Sequence, residues 1–214
     1  MNILFSNAGR RTYLIEYALN IKINNKPINI FITDTNKHTA SFHVSKKTKN
    51  FITPIVSKSP KKYLNKTLNI CKKYKIDILI PLMDYEIPIL SRNKKFFEKI
   101  NTTVVVSNIN TILNCLDKKK NYIFCKINNI PVPQTYFKKK TSFKYPLIRK
   151  NILGSAGLDQ KVIRKYKDLY NFDSKKHILQ KNIIGDEYGM DILNDYKGEY
   201  VHSFVRKKII MKNG

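Results

Sequence analysis

Short, nearly continuous apolar runs alternate with longer amphipathic stretches over the first half of the chain. Residues 2–6 read as a buried strand, followed by the turn Asn7-Ala8-Gly9-Arg10-Arg11. Thr12 is placed to cap a helix whose apolar residues Leu14, Tyr17, Ala18 and Ile21 recur at helical spacing. Asn24-Asn25-Lys26-Pro27 breaks that helix, and residues 28–33 form a second strand ending at Asp34. Residues 51–53 give a short third strand. Ser59-Pro60 opens a helix with proline in its first turn, and Leu64, Leu68 and Cys71 share one face. Residues 76–81 form an apolar fourth strand. Pro88 falls in the first turn of a helix carrying Ile87, Leu90 and Phe97, and residues 103–107 form a β-branched fifth strand. Strand and helix in alternation, with apolar strands and short connections, predict a parallel α/β sheet covered on both faces over about residues 1–108.

The pattern then changes. Residues 111–128 predict one helix with Ile112, Leu116, Ile123, Phe124 and Ile127 facing inward, stopped by Asn128-Asn129. Ile130-Pro131-Val132-Pro133 is an extended linker, so residues 109–132 connect two regions. Six of the seven glycines lie at or beyond Gly154. Strands are expected at 146–150, 161–164, 187–193 and 200–205, with a hairpin turn at Asp195-Tyr196-Lys197-Gly198. Residues 133–214 therefore read as an antiparallel α+β unit.

Composition alters this picture in one respect. The 214 residues carry 41 Lys and Arg against 15 Asp and Glu, a formal net charge of +26. That lies far outside the magnitude of about 2–8 usual for a small domain and raises the question of nucleic acid. Only six of the basic residues are arginine, however, whose planar fork suits base-edge and phosphate recognition. Lys, Ile and Asn together make 88 of the 214 residues, a bias toward AT-rich codons. Codon drift onto solvated faces explains most of the charge, and nucleic acid is disfavoured as the partner. The hydrophobic fraction of 42% excludes a disordered polybasic tail. No apolar run reaches the 18 residues of a membrane helix, and the first residues lack the pattern of a cleaved signal. Three scattered cysteines, Cys71, Cys115 and Cys125, fit reduced thiols in a cytoplasm.

Several motifs bear on chemistry. The first turn has one glycine where a dinucleotide fingerprint needs three, which weighs against NAD or FAD. Arg10 and Arg11 beside a helix start suit an anion or simply a solvated turn. Asp34 ends a strand where an acidic residue can hold a ribose or form a turn. Asp84 and Glu86 follow the fourth strand, and helix capping by Asp84 is the simpler reading of their spacing. Lys150 ends a strand and is followed by Gly154-Ser155-Ala156-Gly157. A lysine and a loop of small residues can clamp polyphosphate through point charge and backbone N–H groups, although the spacing is not that of a P-loop. Further on, residues 178–187 run from an apolar strand through a polar hinge to a glycine turn and Glu187.

In this order the motifs resemble the ATP-grasp superfamily, most closely its carbamoyl-phosphate-synthase large-chain-like carboxylate–amine ligases. The resemblance rests on Asn7-Ala8-Gly9-Arg10-Arg11, Pro81-Leu82-Met83-Asp84-Tyr85-Glu86, Cys115-Leu116-Asp117-Lys118, Ile130-Pro131-Val132-Pro133, Lys150 with residues 154–157, Gly185-Asp186-Glu187-Tyr188 and Val205-Arg206-Lys207-Lys208. It implies a pre-ATP-grasp Rossmann-like parallel sheet followed by an incomplete α+β ATP-grasp domain. It implies ATP-dependent activation of a small carboxylate as an acyl-phosphate, attacked by an amine. Lys118 and Lys150 would contact ATP phosphates, and Gly154, Ser155 and Gly157 would belong to the loop over them. Gln180, Lys181, Asn182 and Ile183 would present backbone groups to adenine, and Glu187 would hold the ribose hydroxyls. Positioning and charge neutralisation are what phosphoryl transfer chiefly needs.

There are departures from the family pattern. Lys181 stands near where an acidic residue is usual, and Asn151 where a proline often follows the lysine. The family's late carboxylates and asparagine, which hold Mg²⁺, have no counterpart between Glu199 and Gly214. The chain is therefore expected to be truncated, without metal ligands of its own, with its catalytic residues unassigned, and inactive alone. A homo-oligomer or a complementing C-terminal fragment is the expected partner. The rival readings are a non-catalytic module that binds a nucleotide or partner chain, and a basic nucleic-acid-binding protein.

Overall fold

Strand β1 (Asn2–Ser6) occupies the centre of a parallel sheet in the computed structural model, which describes residues 1–154, 159–195 and 197–209. The chain divides into two compact units, residues 1–113 and 114–214. After β1 come helix α1 (Thr12–Asn20), a small hairpin of β2 (Lys22–Ile23) and β3 (Lys26–Pro27), and β4 (Asn29–Asp34). Next are β5 (Lys49–Ile52), α2 (Pro60–Lys73), β6 (Ile78–Pro81), α3 (Ile87–Arg92), α4 (Lys94–Glu98) and β7 (Thr103–Val104). Helix α5 (Ile109–Leu116) crosses the division between the units.

The sheet order β5-β4-β1-β6-β7 is parallel throughout. Alternate side chains of the same strand enter two different cores. Leu4 packs with Phe31, Tyr63, Leu79 and Phe97, while Ile3 and Phe5 pack with Ile15, Ala18 and Ile32. Burial on both faces is why these strands are nearly all apolar, each buried large side chain contributing about 1.5–3 kcal/mol. The parallel sheet and its helical cover agree with the sequence pattern.

Several helical details differ from it. Helix α1 turns Ile15 and Ala18 inward, leaving Tyr17 and Ile21 exposed. Thr12 is its first helical residue, preceded by Arg11 with no side-chain cap. The helix expected through Phe97 is two helices broken at Asn93, whose side-chain amide donates to the Ile89 carbonyl (2.7 Å). The helix expected over 111–128 is also two, α5 and α6 (Lys118–Ile127). Asp117 separates them, because its carboxylate accepts from the N–H groups of Lys119 (2.8 Å) and Lys120 (3.1 Å). Ile112 is buried as expected, but Ile123, Phe124 and Ile127 are exposed.

The second unit continues with β8 (Thr135–Tyr136), β9 (Leu147–Asn151), β10 (Lys161–Ile163) and β11 (His177–Lys181). These form an antiparallel sheet in the order β10-β9-β11-β8. Leu147, Ile163, Leu169 and Leu179 make its core. The two-residue alternation then puts Ile148, Lys150, Ile178 and Gln180 on the opposite face. Strands β12 (Tyr188–Asn194) and β13 (Tyr200–Lys207) form a separate hairpin, whose turn is closed by the Asp195 side chain accepting from Lys197 and Glu199 N–H.

His177 gives this unit a pH dependence. It is buried, and its Nδ1 accepts the Asp173 N–H (3.0 Å), so that nitrogen is already occupied. Burial first, then the neighbouring Arg149 charge, lowers its pKa from the ordinary 6.5. The folded protein therefore takes up a proton later than the unfolded chain as pH falls. Stability is expected in full above about pH 6.5 and to decline below it. In thermal unfolding at pH 7.5 and 5.5 the wild type should lose more than His177→Asn, which keeps an acceptor at the Nδ1 position. Equal losses would contradict this.

Candidate functional site

Helix α6 begins where β9 ends. Capping by Asp117 fixes its first turn, and the Lys118 N–H donates to the Ile152 carbonyl (3.0 Å). The Lys118 ammonium donates to the Gly154 carbonyl (2.8 Å), and Gly154 holds a φ of +110° that favours glycine. Lys150, four residues earlier, donates from Nζ to Gln180 Oε1 across the β9–β11 pair (2.8 Å). Gln180 Nε2 in turn donates to Thr135 Oγ1 on β8 (3.0 Å).

Burial and neighbouring charge act on both lysines. The pKa of Lys118 is lowered by burial first and then by the charge of Lys150, with Asp117 opposing. That of Lys150 is lowered by burial, with Glu187 opposing. Two half-buried ammonium groups that repel each other gain from an anion between them. Lysine presents such an anion with a point charge and rotatable donors.

Of the residues singled out in the sequence, Lys118, Lys150, Gly154 and Gln180 are thus brought together. Glu187 acts on Lys150 through its charge, while its carboxylate accepts from the ammonium of Lys208. In the hinge, the Lys181 N–H donates to the Gln134 carbonyl (2.8 Å) and the Asn182 N–H to the Pro146 carbonyl (3.2 Å). Those two N–H groups are committed to the fold, and Ile183 is exposed. Ser155 and Gly157 lie outside the described residues. Thr135 and Lys208 were not foreseen as site residues. No spacing singles out Thr135, because its role depends on the pairing of β8 with β11. Among the described residues no group of three or more His, Cys, Asp and Glu side chains could hold a metal ion.

The first unit has a cavity of about 260 Å³ lined by Asn7, Gly9, Asp34, Met83 and Tyr85, among others. It lies past the carboxyl ends of β1, β4 and β6, where the strand order reverses and open sheets place ligands. Asp34 proves to be a turn former. Its carboxylate accepts from the N–H groups of Gly9 (2.9 Å), Thr35 (2.7 Å) and Asn36 (3.1 Å). Capping by Asp84 is not seen. Glu86 is the buried carboxylate instead, and it accepts from Asn7 Nδ2 (2.7 Å), the Tyr63 hydroxyl and the N–H groups of Leu82 (3.0 Å) and Met83 (3.1 Å). A second cavity, of about 570 Å³, is lined in the other unit by Asp117, Lys119, Asn151, Lys175 and Lys176, among others. Neither cavity is lined by Lys118 or Lys150.

Comparison with known proteins adds to this geometry. Residues 3–106 match the family model described as PylC-like, N-terminal domain, and residues 115–214 match the model described as ATP-grasp domain. No curated protein matches the chain. Among solved structures it is similar to N5-carboxyaminoimidazole ribonucleotide synthetase from Thermotoga maritima, with a TM-score of 0.67 and 16% identity over 97% of this chain and 54% of that one. The Staphylococcus aureus N5-carboxyaminoimidazole synthetase complexed with ADP gives a TM-score of 0.68 and 14% identity over 99% and 55%. L-amino acid ligase from Bacillus licheniformis gives 0.67 and 14% over 95% and 48%. The chain thus spans about half the length of these solved structures.

Proposed function

The chain belongs to the ATP-grasp superfamily, and from that premise we propose that its second unit is the nucleotide-binding part of an ATP-dependent ligase. The parent reaction is the activation of a small carboxylate as an acyl-phosphate for attack by an amine. The observation that carries the reading is the pair Lys118 and Lys150, half-buried beside Gly154 with mutually unfavourable charge. Polyphosphate would neutralise both ammonium groups. The face of β9 and β11 that bears Lys150 and Gln180 leads into the 180–183 segment, which suits the base. Glu187 would reach the ribose hydroxyls on leaving Lys208.

In the superfamily ATP works with Mg²⁺, which would supply charge neutralisation at the phosphates. The described side chains do not form a cradle for that ion. A second reading is that the chain binds nucleotide without turnover, as a non-catalytic module or together with a further polypeptide. A second copy of the chain or a complementing C-terminal fragment would serve as that polypeptide. No helix among the described residues is long and apolar enough to cross a membrane. We place the protein in the cytoplasm on its three scattered cysteines.

Calorimetric titration with ATP, combined with a phosphate-release assay in the presence of Mg²⁺ and candidate carboxylates, tests the reading. Saturable binding of one nucleotide per chain is expected, with no measurable turnover. Absence of ATP binding, alongside tight salt-sensitive binding of an oligonucleotide, would replace it with the nucleic-acid reading.

A further inference from the structure

We infer that Thr135 and Gln180 are positioning residues for Lys150, joined to it in a hydrogen-bond relay of fixed polarity that starts at the Pro133 carbonyl. That Lys150 serves a nucleotide rests on the function proposed above; the relay itself rests on geometry alone. The Pro133 carbonyl can only accept, and it receives the Thr135 hydroxyl proton (2.9 Å). With its proton committed, Thr135 Oγ1 meets Gln180 as an acceptor, so the side-chain nitrogen must face it (3.0 Å). The amide oxygen is thereby turned to Lys150, whose ammonium can only donate (2.8 Å). An amide is often ambiguous in orientation, but here every member has one permitted role.

Three elements meet in the relay. Thr135 is on β8, Gln180 on β11 and Lys150 on β9, and β11 pairs with both of the others. Thr135 is buried, so the anchoring end is shielded from water. A neutral amide oxygen holds the ammonium without cancelling its charge, and one N–H of three is used. Two donors and the full charge remain for an anion. A carboxylate at position 180 would hold Lys150 as firmly but would neutralise it. The other charges acting on this face are Lys118 from α6 and Glu187 from the segment before β12.

Acetylation of the full chain by acetic anhydride at pH 8, with each lysine quantified by mass spectrometry, tests the relay. Thr135→Val and Gln180→Leu each remove one link, and Thr135→Ser restores the hydroxyl. Breaking a link should raise the rate at Lys150 about three- to tenfold, the worth of one net hydrogen bond. Thr135→Ser should react as the wild type does. Lys119, half-buried in the same unit with its ammonium donating to the Ser174 carbonyl, should be unchanged in all four proteins, which separates loss of the relay from loss of the fold. A wild-type rate at Lys150 in folded Thr135→Val or Gln180→Leu would overturn the inference. Added ATP should slow Lys150 acetylation in the wild type. Failure of that protection alone would count against the nucleotide reading and leave the relay standing.

Discussion

Glu86→Ala is expected to cost the first unit about 3–5 kcal/mol and to lower its unfolding midpoint by well over about 10 °C. The carboxylate is fully buried and ties three separate segments together. Asn7 reaches it from the turn after β1, Tyr63 from α2, and the Leu82 and Met83 N–H groups from the turn after β6. Alanine would take this partner from the Asn7 amide, the Tyr63 hydroxyl and the Met83 N–H, while the Leu82 N–H keeps the Ser6 carbonyl (3.1 Å), and each buried group left unpaired costs about 1–3 kcal/mol. Glu86→Gln keeps the shape and one acceptor oxygen, and should cost about 1–2 kcal/mol. The Glu86 pKa is raised by burial, against the hydrogen bonds of Tyr63 and Asn7. A carboxyl raised on folding favours the native state most below its ordinary value, 4.5, and loses that contribution as pH rises through the folded value. The gap between wild type and Glu86→Gln should therefore narrow as pH rises from about 4.5. Chemical denaturation of the three proteins across that range reads both effects.

Lys150→Ala should weaken ATP binding about 10- to 100-fold, and Lys118→Ala about tenfold. The difference follows from their surroundings. Lys150 is held by Gln180 on a sheet, whereas Lys118 spends one donor on the Gly154 carbonyl. Each substitution also relieves the repulsion felt by its neighbour, so the double variant should lose less than the two single losses combined. Lys167→Ala, on an exposed lysine, changes only the general field and should leave the affinity nearly unchanged. Calorimetry at fixed ionic strength distinguishes the outcomes. Equal small losses in all three variants would mean that the net charge of +26 attracts ATP without a site.

The parallel sheet was legible because its strands are buried on both faces, and no polar residue interrupts the run from Ile3 to Phe5 or from Ile30 to Ile32. Helix faces were less so. Tyr17 and Ile21 have the spacing of a buried stripe, but spacing alone does not say which of two overlapping stripes, theirs or that of Ile15 and Ala18, meets the sheet. Breaks at Asn93 and Asp117 depend on one side-chain hydrogen bond each, a smaller signal than the apolar periodicity running through them. Glu86 looked like a first-turn carboxylate in sequence. Its burial depends on Asn7 and Tyr63, residues 79 and 23 positions away, which only the folded sheet brings close. The same holds for Thr135, 45 positions before Gln180.

Photoaffinity labelling with 2-azido-ATP, followed by mapping of the adducts, tests most directly the claim that the second unit receives the nucleotide. The account predicts adducts within residues 178–187, suppressed by excess unmodified ATP and much reduced in Lys150→Ala. Adducts within residues 1–113, or scattered over the lysines of both units and insensitive to competing ATP, would contradict it.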